Sequence, residues 1–450
     1  MKERIVLLSI MASLWVFLFI FQNYTPTFWA LIWLCSFMFL YAVYMQIAFK
    51  HQKRKLKKKP PEINTEYKPL VSILLPSHNE ESVIAATVEN VLQLDYPNFE
   101  VIVIDDRSED NTASVIKELE KKYDKVTAMI RDKSAFPGKS AVLNDAMNIA
   151  KGEAILVFDS DARVNKDFLS RLIPALEPDD VGAVQARKVI INADDNFLTR
   201  CQNNEYAMDT HFQVGRDAVK GAVELRGNGE LLKRKALVDI GGWNNYTITD
   251  DLDMSTRMQI KGWDVRFCHD VKVYEEGITS FQPLLRQRRR WIEGSIRRYL
   301  ENFTNVLFSK DMSLRVSLDM TAYVTEVILP FWVMSEIFFQ AFRVIKGLEN
   351  NILSSLVVLF AIGVCFWIVG AYSIKKYNRQ PKIKSLIQAI ETSFYLIVVW
   401  FPLATFIVFK IIFHKKTMNW GKTAHGLTIT NTIKNKNSKE KESNELIATK

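Results

Sequence analysis

Apolar residues follow two different patterns along the chain. Nearly uncharged runs at 5–21, 27–49, 352–374 and 393–413 are each long enough to cross a bilayer. The first two predict a transmembrane hairpin, because no convincing small-residue cleavage site follows the first run and a second run begins at once, unlike a cleaved signal peptide. The chain is therefore predicted to be an integral membrane protein.

Between residues 69 and 190 the pattern changes, and short runs of β-branched and other apolar residues alternate with helical stretches. The predicted strands are 70–76, 99–106, 125–132 and 153–161, each nearly apolar on both faces. The predicted helices follow Glu80, Asp110, Lys139 and Lys166. Strands that are apolar on both faces and alternate with helices indicate a buried parallel sheet. We therefore expect an α/β fold, a doubly wound and mostly parallel sheet, with transmembrane α-helices on either side.

A dense positive run, HQKRKLKKK at 51–59, follows the second apolar segment. Because Lys and Arg accumulate on the cytoplasmic side of membrane segments, the next region is predicted to be cytoplasmic and the protein to lie in the plasma membrane. The predicted division is a transmembrane hairpin (1–50), a basic juxtamembrane linker (51–67), a cytoplasmic domain (68–312), C-terminal interfacial or transmembrane helices (313–414) and a basic tail (415–450).

The C-terminal topology stays open at the sequence level. Residues 318–342 are apolar but include Asp319, Glu326 and Glu336, so this segment can cross, re-enter or lie in the interface. An even number of C-terminal crossings fits the positive-inside rule better, because it keeps the Lys-rich tail in the cytoplasm. The tail is low in apolar residues and is predicted to be partly disordered. The four cysteines lie far apart and indicate no disulfide framework.

Polar and acidic groups follow three of the predicted strands: PSHNE at 76–80, DDRSED at 105–110 and DSDA at 159–162. In parallel sheets ligands bind beyond the carboxyl ends of the strands, so these groups are expected to share one edge. Clustered carboxylates repel each other unless a cation is present. The DSD pattern supplies two carboxylates for a hard divalent ion, which often bridges protein carboxylates to substrate phosphates. This edge is therefore predicted to hold a metal and a diphosphate.

The GKS of AFPGKS at 135–140 is not a nucleotide-binding P-loop. That motif needs a glycine five residues before Gly138, and position 133 is Lys. Lys139, at the start of a predicted helix, can still meet the charged end of a donor.

Seven segments occur in the order typical of one enzyme family: LLPSHNE, VIVIDDRSEDNT, GKSAVLNDA, FDSDA, GGW (241–243), ITDDLD (248–253) and QRRRW (287–291). Over about residues 68–300 the chain resembles membrane-bound family 2 glycosyltransferases, a group that includes cellulose, hyaluronan, chitin and poly-N-acetylglucosamine synthases and some bacterial lipid β-glucosyltransferases. The resemblance implies a glycosyltransferase A-like, Rossmann-related fold. It also implies inverting sugar transfer from a nucleotide-sugar, expected to be a UDP-sugar, with Mg²⁺ or Mn²⁺ as cofactor.

The resemblance also assigns roles by position. Asp105 and Asp106 would hold the nucleoside, Lys139 would lie near the donor, and Asp159 and Asp161 would form the DxD pair, with Asp161 nearest the metal. Asp251 would be the general base, and Asp250 takes the place of the glutamate of the commoner TED motif. Gln287, Arg290 and Trp291 form the QxxRW set.

The chemistry of single displacement agrees with these roles. A carboxylate must accept the proton of the attacking hydroxyl, which Asp251 can do, and positive charge must meet the departing diphosphate. Arg290 suits that second task because its guanidinium fork matches phosphate oxygens. Trp291 offers a flat apolar face for a sugar ring. The other arginines nearby are expected on the helix surface, facing anionic lipid headgroups: Arg286, Arg288, Arg289, Arg297 and Arg298.

Two other segments carry expectations of their own. Gly227 and Gly229 in LRGNGELL allow a close backbone approach to a ligand, with a simple turn as the alternative. WGKTAHG at 420–426 resembles a membrane-proximal loop that closes over the donor in relatives.

Two products remain open at this stage. The leading reading is addition of sugar to a growing β-linked polysaccharide at the membrane, which QxxRW favours. The alternative is transfer of one sugar to a membrane lipid such as diacylglycerol. An inactive transferase-like sensor is disfavoured because the acidic motifs are intact, and a transporter because the membrane spans are too few.

The expected partners follow from these readings. They are the nucleotide-sugar donor, a glycan or lipid acceptor and membrane lipids, with room for an accessory membrane subunit. Nucleic acid is not expected, because the other basic runs lie beside the membrane or in the tail.

Overall fold

Eight strands form one sheet in the globular part of the chain. A computed structural model describes residues 2–21, 26–58, 64, 66–322, 324–348, 350, 352–414 and 416. The strands are β1 (Val71–Ser77), β2 (Phe99–Asp105), β3 (Val126–Ile130), β4 (Ala154–Val157), β5 (Arg163–Val164), β6 (Val181–Ile190), β7 (Glu230–Lys233) and β8 (Asp264–Glu275). Their order in the sheet is β3-β2-β1-β4-β7-β6-β8-β5.

The four strands predicted from the sequence are confirmed as the parallel half of this sheet. β1 pairs in parallel with β2 and β4, and β2 pairs in parallel with β3. The other half is mixed, because β7 runs antiparallel to both β4 and β6 while β6 and β8 are parallel. The carboxyl ends of β1, β2 and β4 consequently meet at one edge.

The helices surround this sheet and continue beyond it. They are α1 (Lys2–Phe21), α2 (Pro26–Lys58), α3 (Ile84–Val91), α4 (Thr112–Lys122), α5 (Lys139–Ala146), α6 (Phe168–Leu172), α7 (Phe197–Val219), α8 (Arg234–Asp239), α9 (Asp250–Ile260), α10 (Phe281–Phe308), α11 (Leu314–Ala322), α12 (Val324–Ile345), α13 (Ile352–Tyr377), α14 (Lys382–Tyr395) and α15 (Phe401–Phe413). The predicted crossover helices are confirmed as α3 to α6.

Burial on both faces explains why the strands are nearly continuous apolar runs. Ile73 of β1 packs in one core with Val101, whereas its neighbour Leu74 packs in a second core with Ile102. All four side chains are buried. Successive side chains of a strand point to opposite faces, so a sheet covered on both sides needs apolar residues at every position.

Four helical segments among the described residues are long and apolar enough to cross a membrane. They are Ile32–Lys58, Ile328–Ile345, Ile352–Tyr377 and Lys382–Phe413, and Arg4–Val16 forms a shorter apolar helix. The segment left open by the sequence divides into α11 and α12. The number of crossings and the side of the tail stay predictions. Residues 417–450, with the WGKTAHG segment, lie outside the described residues.

The apolar helices pack directly on the sheet domain through α7. Gly215 of α7 faces α2, where a Cβ atom would overlap Met45. Beside it, Gln46 Nε2 donates to the backbone oxygen of His211 over 3.0 Å. α2 is also longer than its apolar part, because it continues as helix through the basic run to Lys58. The predicted linker therefore begins as a helix, consistent with the high helix propensity of Lys.

Candidate active site

One large cavity opens at the carboxyl edge of the parallel strands. Its volume is about 560 Å³. Eight of the predicted site residues line it: Lys139, Asp159, Asp161, Asp250, Asp251, Gln287, Arg290 and Trp291. Residues from four separate sequence motifs are thus brought to one cavity, as expected for groups that follow the strands of one sheet.

Lys139 and the first aspartate of DSD form an ion pair at the polar end of this cavity. Lys139 Nζ lies 2.6 Å from Asp159 Oδ1 and donates to Gly227 O over 3.0 Å. α5 begins at Lys139, directly after Gly138, whose φ of +112° only glycine adopts readily. Burial alone would lower the pKa of Lys139, but Asp159, Asp250 and Glu230 outweigh it and raise the pKa. The ammonium is therefore held charged in the cavity wall.

Asp161 lies two residues further and is buried. Its Oδ2 accepts a hydrogen bond from the backbone amide of Glu276, over 3.0 Å. This contact joins the end of β4 to the residue that follows β8, and Glu276 also lines the cavity. Asp161 is thus fixed in position by a strand distant in sequence.

The TDD motif begins helix α9. Asp251 Oδ1 accepts from the Leu252 amide over 2.8 Å. Burial, and then the charge of Asp250, raise the pKa of Asp251 to about 6, although the Leu252 amide opposes this shift. Among the described residues Asp250 Oδ2 is buried without a hydrogen-bond partner. A carboxylate with a pKa near 6 is suited to accepting a proton at neutral pH.

Gly227 and Gly229 adopt the backbone conformation that glycine favours. Their φ angles are +76° and +70°. A Cβ atom on Gly227 would lie 3.2 Å from Asp251 Oδ2, and one on Gly229 would lie 2.8 Å from a methyl carbon of Val273. In this structure the close approach is to the protein's own side chains, so this loop is a wall of the acidic site.

Glu230 is a buried carboxyl that the sequence analysis missed. It is the first residue of β7, and among the described residues neither of its side-chain oxygens has a hydrogen-bond partner. Burial, followed by the charge of Asp250, raises the pKa of Glu230 to about 8, against the opposing effect of Lys139. The sequence did offer one indication of Glu230, because this charged residue stands between the glycine turn and the apolar residues 231–232.

Lys188 is a cation in the cavity that the sequence analysis also missed. Its Nζ lies 3.0 Å from Glu275 Oε2 and 5.6 Å from the centre of the Trp291 ring. Burial lowers the pKa of Lys188, but Glu275 and Asp159 outweigh burial and raise it. Lys188 lies near the C-terminal end of β6, where the sequence pattern resembles that of any partly buried strand.

The QxxRW residues lie on one side of α10. Gln287 Oε1 accepts from Arg288 over 2.7 Å, and the Arg288 guanidinium lies 4.2 Å from the centre of the Trp291 ring. Among the described residues no hydrogen bond or ion pair engages the Arg290 guanidinium, which lines the cavity. A guanidinium in that position can bind an anionic group of a ligand.

The expectation that the neighbouring arginines serve the helix surface is wrong for three of them. Arg288, Arg297 and Arg298 are buried and ion-paired, whereas Arg286 and Arg289 are exposed. Their partners are Glu205 for Arg288, at 2.8 Å, Glu293 for Arg297, at 3.0 Å, and Glu224 for Arg298, at 2.7 Å. A buried guanidinium requires such a partner, and two of these carboxylates are far away in sequence.

Asp105 and Asp106 lie outside the cavity lining. Asp106 is fully buried, and its carboxylate receives Arg131 at 2.5 Å and Arg107 at 2.9 Å. Asp105 accepts from the Ser108 amide over 3.2 Å, and its other oxygen is buried with no hydrogen-bond partner among the described residues. The structure thus gives Asp106 a scaffolding contact, and the predicted donor contact of this pair stays a prediction.

A divalent cation at the two DSD carboxylates would need further ligands from the substrate. Among the described residues no three or more His, Cys, Asp or Glu side chains are close enough to hold a metal together. Asp159 and Asp161 both line the cavity, and Mg²⁺ is commonly bound by one or two carboxylates with substrate phosphates completing its shell. The carboxylate oxygens of Asp159 and Asp161 therefore suit a hard cation whose other ligands include a diphosphate.

The opposite end of the same cavity is apolar and is built by the membrane-type helices. Met38 and Phe39 of α2 and Ile362, Phe366 and Val369 of α13 line it. The cavity thus connects a group of carboxylates and cations to the inside of a bundle of apolar helices.

The sequence is similar to proteins of known class. Residues 69–294, about half of the chain, match the family model described as "Glycosyltransferase like family 2". The chain is 36% identical over 360 residues to a β-monoglucosyldiacylglycerol synthase of Trichormus variabilis, covering 79% of this chain and 76% of the relative. A protein of the same description from Synechocystis is 33% identical over 382 residues, covering 82% and 78%.

A solved structure shares the fold. The mannosyltransferase PcManGT from Pyrobaculum calidifontis, in complex with GDP-Man and Mn²⁺, superposes with a TM-score of 0.55 at 17% identity. The match covers 83% of this chain and 99% of that one.

Proposed function

The chain belongs to glycosyltransferase family 2, and we propose that it transfers one hexose, with glucose as the first candidate, from a nucleotide-sugar to diacylglycerol, producing a β-glycolipid. The relatives described as β-monoglucosyldiacylglycerol synthases support this product over the polysaccharide that the sequence motifs favoured. The observation that carries the proposal is the single cavity that joins the acidic site to the apolar helices. A lipid acceptor needs such a path, since its hydroxyl must reach the donor while its acyl chains stay in apolar surroundings.

The proposed reaction is a single displacement. The acceptor hydroxyl oxygen forms a bond to the anomeric carbon while the bond from that carbon to the diphosphate oxygen breaks, and the bonding electrons leave with the nucleoside diphosphate. Asp251 accepts the hydroxyl proton, a role supported by its position in the cavity and its raised pKa. Lys139 and Arg290 offer positive charge to the departing diphosphate.

The proposal includes a divalent cation, Mg²⁺ or Mn²⁺, held by Asp159 and Asp161 beside the donor. When bound, such a cation neutralises charge on the leaving diphosphate. Lys139 already pairs with Asp159, so we propose Asp161 as the principal protein ligand.

Trp291 and Gln287 have a proposed role in orienting the transferred sugar. Trp291 presents a flat ring on the cavity wall, and Gln287 is held beside it by Arg288. We propose that these residues flank the transferred sugar. Asp105 and Asp106 keep their proposed role in holding the nucleoside. Asp106 also contacts Arg131 and the Gly138 amide at the start of the Lys139 helix.

The orientation proposed for the catalytic part is cytoplasmic, where nucleotide-sugars are available. The positive run on α2 supports it.

The test is to supply the purified protein in nanodiscs with diacylglycerol and a panel of UDP-sugars and GDP-sugars. Lipid-extractable product is then separated from polymeric product. We expect a monoglycosyl lipid with one donor strongly preferred. Polymer that stays in the aqueous phase, with no glycolipid, would contradict the proposal and would support the hypothesis that the protein extends a polysaccharide.

A further inference from the structure

A second cavity, separate from the catalytic one, is rich in cations. Its volume is about 340 Å³. Six basic residues line it, from five parts of the fold: Lys53, Arg171, Arg187, Lys272, Lys376 and Arg379. Nothing in the proposed transfer reaction uses them.

The charge in this cavity is unbalanced. Only two carboxylates, Asp167 and Asp270, line it among the described residues. Asp167 already pairs with Arg171 at 3.2 Å, and Asp270 lies 3.3 Å from the His269 ring. Six cations against two carboxylates leave a net charge of +4 before His269 is counted. Charges of one sign that line a concave site concentrate anions there.

Arg187 is a buried residue of this cavity rather than a surface residue. Its side chain is buried, its Nη1 donates to Tyr377 O and its Nη2 to Asn378 Oδ1, both over 2.8 Å. Among the described residues its Nε has no hydrogen-bond partner and no carboxylate pairs with the guanidinium. A buried charge without a counter-ion is unfavourable, and a bound anion would offset that cost.

Burial is the largest cause of the lowered pKa values in this cavity, and neighbouring cations add to it for Lys272 and His269. Burial lowers the pKa of Arg187 to about 10. Burial, then Arg187 and Arg379, lower the pKa of Lys272. The pKa of His269 is lowered by burial and by Lys376, Lys53 and Arg187, against the opposing charge of Asp270.

The position of the cavity identifies the source of the anion. Lys53 lies on α2 four residues after Phe49, where its apolar run ends, and Lys376 lies at the end of apolar α13. Lys376 Nζ is 4.2 Å from the centre of the Phe49 ring, so the two helix ends meet there. Cations at the ends of apolar helices lie at the depth of lipid headgroups.

We propose that this cavity binds the phosphate of an anionic phospholipid headgroup and docks the sheet domain against the membrane surface. Because neighbouring residues of a strand point to opposite faces, Arg187 lines this cavity while Lys188 lines the catalytic one. A phosphate held by Arg187 therefore also fixes β6 behind the catalytic site.

The test measures lipid binding and needs no sugar transfer, so its failure leaves the proposed function untouched. The full chain is placed in nanodiscs of phosphatidylcholine, with or without phosphatidylglycerol, and the lipid retained by the protein is quantified by native mass spectrometry. The variant is Lys272→Gln with Arg379→Gln, which keeps the buried Arg187. The matched control is Lys57→Gln with Lys375→Gln, which removes the same charge from exposed residues at the same helix ends.

We expect the cavity variant to lose about 10- to 30-fold in preference for phosphatidylglycerol, since each basic residue near an anionic headgroup contributes about fivefold. The control should lose much less. Unchanged preference in the cavity variant, or an equal loss in both variants, would overturn the proposal. A competition arm adds inorganic phosphate: displacement of the lipid at low phosphate concentration would reassign the cavity to a soluble anion.

Discussion

Lys139 Nζ and Asp159 Oδ1 lie 2.6 Å apart, which places a cation and the first DxD carboxylate in direct contact in the cavity wall. The pair joins helix α5 to the end of β4 and also reaches the glycine loop through Gly227 O. A donor diphosphate would therefore find a preorganised positive group in the cavity wall, and no reorganisation would be needed to create it.

Lys139→Gln should weaken catalysis strongly because it removes this positive charge and the ion pair with Asp159. We expect kcat/KM for the nucleotide-sugar to fall about 10²- to 10³-fold, as for loss of other preorganised electrostatic groups. Steady-state kinetics with varied donor measure it. Lys133→Gln is the control, since Lys133 is exposed in the same segment and lies off the cavity. Equal activity of the two variants would show that Lys139 does not meet the donor.

Removal of divalent cations should abolish transfer. Dialysis against a chelator and re-addition of Mg²⁺ or Mn²⁺ should remove and restore activity, and manganese binding can be followed by electron paramagnetic resonance in the presence of nucleoside diphosphate. Asp161→Asn should weaken the bound manganese signal, whereas Asp132→Asn, on the exposed surface, should not. Full activity in excess chelator would exclude the proposed role of Asp159 and Asp161.

The pH dependence of kcat/KM should follow the ionisation of Asp251. Its pKa is raised to about 6, so below that pH the carboxyl is protonated and cannot accept the hydroxyl proton. We expect kcat/KM to rise with pH and level off above about 7. Asp251→Asn should lower the rate about 10²- to 10⁴-fold and remove this limb, with donor affinity retained.

Asp250→Asn is the control for that experiment, because it should cost less and shift the limb to lower pH by removing a neighbouring negative charge. If Asp250→Asn is inactive and Asp251→Asn is active, the general base is Asp250 and the assignment to Asp251 is wrong.

The stability of the protein should depend on Glu230. Its pKa is about 8 in the folded state and about 4.5 in the unfolded chain, so the folded state binds one more proton between these values. Stability should therefore be greatest below pH 4.5 as far as this group is concerned, and fall by up to about 1.4 kcal/mol per pH unit towards pH 8.

Glu230→Gln removes that titration while keeping the shape of the side chain. Thermal unfolding in detergent between pH 5 and pH 8 should show the difference in Tm between Glu230→Gln and the wild-type protein growing in favour of the variant as pH rises. A constant difference across this range would indicate that Glu230 is ionised in the folded protein.

The sequence predicted the residues of the site best where a strand ends. Asp159, Asp161 and Asp251 share one cavity because parallel strands bring their carboxyl ends together and helix α9 begins at the same edge. Lys188 and Glu230 were missed because they belong to strands, where the sequence does not show what a charged side chain faces.

The arginines of α10 show a different limit. A helix rich in Arg has the pattern of a surface or headgroup helix, yet Arg288 and Arg298 are buried because Glu205 and Glu224 approach from other elements. Such pairing depends on tertiary contacts, which hydrophobic periodicity does not encode.

The last prediction concerns the apolar end of the catalytic cavity. Val369 of α13 lines it, whereas Leu353, on the same helix, is exposed. Val369→Trp should occupy the space needed by acyl chains and lower kcat/KM for long-chain diacylglycerol at least tenfold, because overpacking and exclusion both oppose acceptor entry. Donor binding, measured by nucleoside diphosphate titration, should be unchanged, and Leu353→Trp should behave as wild type. If Val369→Trp transfers to long-chain diacylglycerol as fast as the wild-type protein, the acceptor does not enter between α2 and α13, and the lipid path must lie elsewhere.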